Sequence, residues 1–95
     1  MDIGAEPIAE VLNAYKAAVY RKDVEDFTAL YDEDVHVFDM WGQWECKGIE
    51  SWRAMAADWF GSLGSERVVV SIEHVQGHTS GELAAGHAFL TFTAV

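Results

Sequence analysis

An acid on an apolar strand face is the feature of this sequence best suited to chemistry. In Asp34-Val35-His36-Val37-Phe38-Asp39-Met40 the apolar period is two, which sets Val35, Val37 and Asp39 on one side and His36, Phe38 and Met40 on the other. A carboxylate turned toward an apolar cavity has its charged form disfavoured, and its pKa rises toward the range useful to a proton-abstracting base. Asp39 has a plainer use as well. It stands just before Trp41-Gly42-Gln43 and can accept hydrogen bonds from the backbone of Trp41 and Gly42 in a turn. The aromatic supply around it is large, with four Trp, five Phe and three Tyr in 95 residues. Pockets for small molecules are lined mostly by such side chains. Tyr15, Tyr31, Trp41 and Trp59 are the candidates for a pocket wall, with core packing as the alternative use of each, and Trp52 reads as core.

His87 lies in the middle of an uncharged run from Leu83 to Val95. It either faces a pocket, as a ligand contact and second acid/base, or lies on the outer face in a dimer contact. The other histidines, His36, His74 and His78, are spread over strands and a turn without the spacing of converging metal ligands, so no metal site is expected. Gly61-Ser62-Leu63-Gly64-Ser65 lacks the spacing and the lysine of a nucleotide loop, and no cofactor is expected. Cys46 is the only cysteine, which excludes an internal disulfide, and it reads as an ordinary half-buried thiol.

The elements that must position these residues follow from periodicity. Pro7 suits a first helical turn, and Ile8, Val11, Leu12, Tyr15 and Val19 recur at helical spacing, which predicts a helix over 6–21. Lys16, Arg21 and Lys22 lie toward its C-terminal end, where positive charge is favourable. Asp23 predicts an N-cap for a shorter helix burying Phe27, Leu30 and Tyr31. A strand follows to Met40, then a turn, then a short return strand over Trp44-Glu45-Cys46-Lys47. A third helix is predicted from Gly48 to about Leu63, with Ile49, Trp52, Met55, Ala56, Trp59 and Phe60 inward. Arg67–Val75 and Leu83–Val95 read as strands, with Gln76–Gly81 as turn material. The order ααββαββ makes an α+β domain, with helices segregated against an antiparallel sheet. Phe89–Val95 is strand-like to its last residue, which points either to a shortened domain or to a partner covering this strand.

A chain of this length is one domain, 1–95. Its net charge is −10, and its six basic residues form no stripe, which argues against nucleic acid and against an anionic membrane surface. No run approaches the ~20 apolar residues that span a bilayer, and the start lacks a basic signal-peptide region. A cytoplasmic location is the default expectation.

From Tyr15 to Arg53 the chain resembles the ketosteroid isomerases, with Tyr15, Tyr31, the strand Asp34–Asp39, Gly42, Gly48 and Arg53 as landmarks. Leu30-Tyr31-Asp32-Glu33-Asp34, Phe38-Asp39-Met40-Trp41 and Trp44-Glu45-Cys46-Lys47-Gly48 look closer still to SnoaL-like domains of the nuclear transport factor 2-like superfamily. The resemblance implies a cone-shaped half-barrel, three helices packed on a curved antiparallel sheet, without the family's last strands. It also implies Asp39 as a base that shuttles a proton and Tyr15 as a hydrogen-bond donor to a developing enolate oxygen, an arrangement for which ketosteroid isomerase is the worked case. The match departs from the isomerases at Ala56, where they carry a supporting tyrosine, and at Met40, where a proline is usual. Their second oxyanion donor falls on a strand beyond Val95.

The expectation is therefore a domain that binds a small hydrophobic molecule in an apolar pocket. Any catalysis would be proton transfer beside a carbonyl, of isomerase, cyclase or dehydratase type, with Asp39 and Tyr15 as catalytic residues and Tyr31, Trp41, Trp59 and His87 around the ligand. The alternative is a non-catalytic dimerisation or protein-interaction module of the same fold. A homodimer through the sheet is expected in either case.

Overall fold

The computed structural model of the chain describes residues 6–40 and 43–95. Helix α1 spans Glu6–Arg21, α2 Val24–Thr28 and α3 Ile49–Ser62; strands β1 and β2 span His36–Met40 and Gln43–Lys47, and β3 and β4 span Val68–Ser80 and Leu83–Ala94. The order is the expected ααββαββ.

Helix α1 turns Ala18 and Val19 into the core and ends where Lys22 takes a left-handed φ of 57°. There the Asp23 N–H reaches back to the Ala18 carbonyl at 3.0 Å, which satisfies one of the helix's last acceptors. The Lys22 ammonium also donates to the Gly64 carbonyl at 2.6 Å, tying this corner to the loop after α3. Asp23 then caps α2, its carboxylate accepting from the Asp26 N–H at 3.0 Å. The short helix delivers Phe27 to the centre of the molecule, and Arg53 of α3 pairs with Glu25 to hold α2 and α3 together.

The β1–β2 hairpin pairs Val37 with Cys46 and Phe38 with Glu45. Gly48 follows it at φ 85°, a conformation costly for residues with a Cβ, and starts α3 while its N–H bonds to the Val35 carbonyl at 2.7 Å. Trp52, Ala56 and Phe60 recur every four residues along α3 and form its buried stripe.

Strands β3 and β4 form a long antiparallel hairpin from Val68↔Ala94 to Ser80↔Leu83. Here the sequence reading needs correction, because Gln76–Ser80 is strand and only Gly81 and Glu82 turn. Between Glu73↔Phe89 and Gln76↔His87 the β3 side carries one residue more, a bulge at which His74 adopts φ 56°. The bulge lets β3 bend and continue, so its polar second half joins the ladder instead of leaving it. The two hairpins form separate two-stranded sheets. The core gathers Ala18, Val19, Phe27, Cys46, Trp52, Ala56, Phe60, Val68 and Val70 between the helices and the inner face of β3. No helix among the described residues is long and apolar enough to cross a membrane.

Candidate functional site

Phe27, fully buried, is the hub of an aromatic cluster to which the three helices and β4 contribute. Tyr15 of α1 approaches it with ring centroids 5.3 Å apart, Tyr31 just after α2 at 5.4 Å, and Trp52, Trp59 and Phe60 of α3 at 5.9, 6.3 and 5.5 Å. Phe92 of β4 closes one side, 6.4 Å from Tyr15 and 6.2 Å from Trp59. Tilted and edge-on geometries dominate, as the ring quadrupoles favour. Val35 and Val37, on and before β1, pack against the same core.

Polar groups inside this cluster are donors. Burial, and secondly the neighbouring Tyr31 phenol, hold the Tyr15 hydroxyl well above the ordinary phenol range. Burial raises Tyr31 too, offset in part by the Trp52 indole N–H beside it. The Tyr31 and Trp52 rings lie 5.5 Å apart, edge to face. That indole N–H is buried yet makes no hydrogen bond of proper geometry among the described residues. A buried N–H without an acceptor costs roughly 1–3 kcal/mol, so it calls for an explanation. Two phenols that stay protonated and one unsatisfied indole N–H share a small apolar volume that holds no anionic side chain among the residues just named. Such a set suits an incoming oxygen that carries or develops negative charge.

The sequence candidates fare unevenly. Tyr15, Tyr31 and Trp59 come together around Phe27. Asp39 lies in β1, but its side chain, like all of Trp41, is outside the described residues. His87 is exposed on β4. Its neighbour Gly86 is the residue packed toward α1, with Ile8 over it, so alternation turns His87 to the sheet face away from the helices. Of the two uses the sequence leaves open for His87, this geometry matches the outer face. Trp52 and Phe27 carry no site signal in their spacing and read from sequence as core. The signal that could have singled out Trp52 is chemical: among the buried aromatics it carries an obligatory donor.

A surface depression of about 430 Å³ lies elsewhere, at the start of α3, lined by Glu33, Asp34, Lys47, Gly48, Ile49, Glu50 and Ser51. Its carboxylates make it a poor place for an apolar ligand, and it shares no residue with the aromatic cluster.

The family model of the SnoaL-like domain matches residues 11–95. Among solved structures, an NTF2-like protein of unknown function from Pseudomonas putida KT2440 superposes with a TM-score of 0.82 at 21% identity, covering 94% of this chain and 62% of that one. A candidate aromatic ring hydroxylase from Novosphingobium aromaticivorans gives 0.70 at 17% identity, over 97% of this chain and 65% of the other. A candidate calcium/calmodulin-dependent protein kinase type II association domain from Thiobacillus denitrificans gives 0.58 at 19%, over 88% and 78%. At such identities the likeness is one of fold. The chain spans less than two thirds of the length of the Pseudomonas and Novosphingobium proteins. No curated protein matches the sequence.

Proposed function

The chain belongs to the SnoaL-like domain family, within the nuclear transport factor 2-like superfamily, and on that footing we propose that it binds a small hydrophobic carbonyl compound at the Tyr15–Tyr31–Trp52 cluster and moves a proton on it. The observation that supports this reading is the buried Trp52 N–H, which lies beside the Tyr31 hydroxyl yet makes no hydrogen bond of proper geometry among the described residues, next to two phenols that burial keeps protonated. A ligand carbonyl oxygen would accept from these groups, while Phe27, Trp59 and Phe92 would pack its apolar body. The reaction that fits is removal of a proton from the carbon next to the carbonyl. Asp39 takes that proton, the bonding electron pair moves onto the oxygen as an enolate, and the phenols stabilise the charge. Return of the proton from Asp39 to another carbon completes an isomerisation. The Asp39 role comes from the family resemblance.

The test uses a naphthol as enolate mimic, titrated against the intrinsic tryptophan fluorescence, and deuterium uptake next to the carbonyl of a cyclic enone. Saturable naphthol binding is expected. Each of Tyr15→Phe and Tyr31→Phe should weaken it about tenfold or more, since a hydrogen bond to a charged group is worth roughly 1.5–3 kcal/mol. Asp39→Asn should bind naphthol but take up no deuterium. Failure of the native chain to bind any naphthol, or deuterium uptake unchanged by Asp39→Asn, would sink the reading.

A further inference from the structure

One face of the β1–β2 hairpin is built into the molecule. Val37 and Cys46 pair across it, and both pack in the core, with Cys46 only 6% exposed. A step of two along each strand stays on the same face. The pairs Phe38↔Glu45 and Met40↔Gln43 bracket positions 39 and 44. Asp39 and Trp44 therefore stand across from one another, on the face of Val37 and Cys46. A tryptophan on a core-facing position is ordinarily covered, yet Trp44 is 71% exposed.

Phe38 shows the contrast. It is exposed too, but it belongs to the opposite face, where the His36 ring lies against it with centroids 4.0 Å apart and the His36 imidazole bonds to Glu45 at 2.9 Å. Trp44 combines an inward strand position with an uncovered indole, next in line after the last pair that the core encloses.

Resting on the reading of Asp39 as the base, we propose that Trp44 is a specificity residue of that site, its indole stacking on the ligand beside the carbon that gives up its proton and selecting flat, conjugated carbonyl compounds over saturated ones. Residues directly across an antiparallel pair have Cβ atoms roughly 4.5–5.5 Å apart, so a ligand carbon in reach of position 39 is also in reach of position 44. An aromatic face gains most from a flat π system that meets it over its whole area. A saturated ring, with hydrogens projecting from both faces, meets it over only part. Covering the indole also takes a large apolar surface out of water, which favours binding of whatever covers it.

The experiment titrates 2-naphthol and its saturated counterpart, decahydronaphthol, calorimetrically into the native chain, Trp44→Phe and Trp44→Ala. Nuclear magnetic resonance follows the Trp44 indole, identified by its absence from Trp44→Phe. Trp44→Ala is expected to weaken naphthol about fivefold or more, the order that aromatic stacking supplies, and decahydronaphthol by about twofold or less. Trp44→Phe, which keeps a ring, should fall between. In the native chain the Trp44 indole protons should show Overhauser contacts to the naphthol ring. Naphthol that binds the native chain and Trp44→Ala equally well, or that makes no contact with Trp44, overturns the proposal and leaves the Tyr15–Tyr31–Trp52 site standing. A native chain that binds no naphthol overturns both. Should Trp44→Ala lose the native circular dichroism, the contacts in the native chain decide alone.

Discussion

Replacing Gly86 with alanine tests a close approach of α1 and the β3 backbone to β4. A Cβ at this position would lie 2.3 Å from the Gln76 carbonyl oxygen, 2.9 Å from Ile8 Cγ1 and 3.2 Å from the Gly77 Cα. The isoleucine can turn away, but the other two atoms are backbone of β3. Relief of the overlap therefore requires β3 and β4 to part locally or α1 to lift off the sheet. Gly86 has no left-handed φ, so the penalty is one of space, not of backbone conformation. Overpacking of this kind costs about 1–3 kcal/mol, and the upper half of that range applies because backbone atoms must yield. For a domain of this size each kcal/mol moves the melting temperature by about 4–8 °C, so Gly86→Ala is expected to melt roughly 8–24 °C lower. Gly61 supplies the control of opposite sign. It lies within α3, and a methyl group there would meet nothing within 4 Å, so alanine should stabilise by up to about 1 kcal/mol through helix propensity. Thermal unfolding followed by circular dichroism reads both. A Gly86→Ala protein as stable as the native chain would refute the close packing of α1 on the β3–β4 hairpin.

Other expectations follow from the cluster and the caps. Phe27→Ala empties the hub of the aromatic cluster and should cost about 3–5 kcal/mol, seen as a lower urea midpoint with loss of near-ultraviolet dichroism. Asp23→Ala removes the cap of α2 and should cost about 0.5–2 kcal/mol, with Asp23→Ser restoring most of it. Tyr15 and Tyr31 have folded-state pKa values raised above the reference of 10.0. The folded chain thus holds their protons more tightly than the unfolded chain, so their contribution is complete below about pH 10 and is lost as pH rises through the folded values. Alkaline titration should show this as phenolate absorbance that appears together with unfolding, and Tyr15→Phe should flatten the decline. Phenolate from both residues in a fully folded protein would contradict their burial.

The helices were legible because their signals are local. Pro7 and the apolar stripe mark α1, and Asp23 announces α2 through its own hydrogen bond. The second half of β3 was not, since Gln76–Ser80 has the small polar composition of a turn, and only pairing with Leu83–His87 makes it strand. The face of His87 was equally hidden. Alanine, phenylalanine and leucine occupy both sides of β4, so alternation carries no clear inside or outside, and it is Gly86 against Ile8 that decides. Within the site, Tyr15, Tyr31 and Trp59 could be named from spacing and resemblance. The Trp52 N–H, without a hydrogen bond of proper geometry among the described residues, could not, because that is a property of three-dimensional surroundings.

Cys46 gives the molecule a reporter of its own. It is the chain's only cysteine, free, on β2, and buried in the core beside α3. A thiol reagent can reach it only when that region opens, so its alkylation rate measures a local opening equilibrium and not the behaviour of the whole chain. Because no ladder among the described residues joins the β1–β2 hairpin to β3–β4, that opening need not break the long hairpin. The two halves of the sheet can therefore breathe on different schedules, with the thiol keeping time for the shorter one.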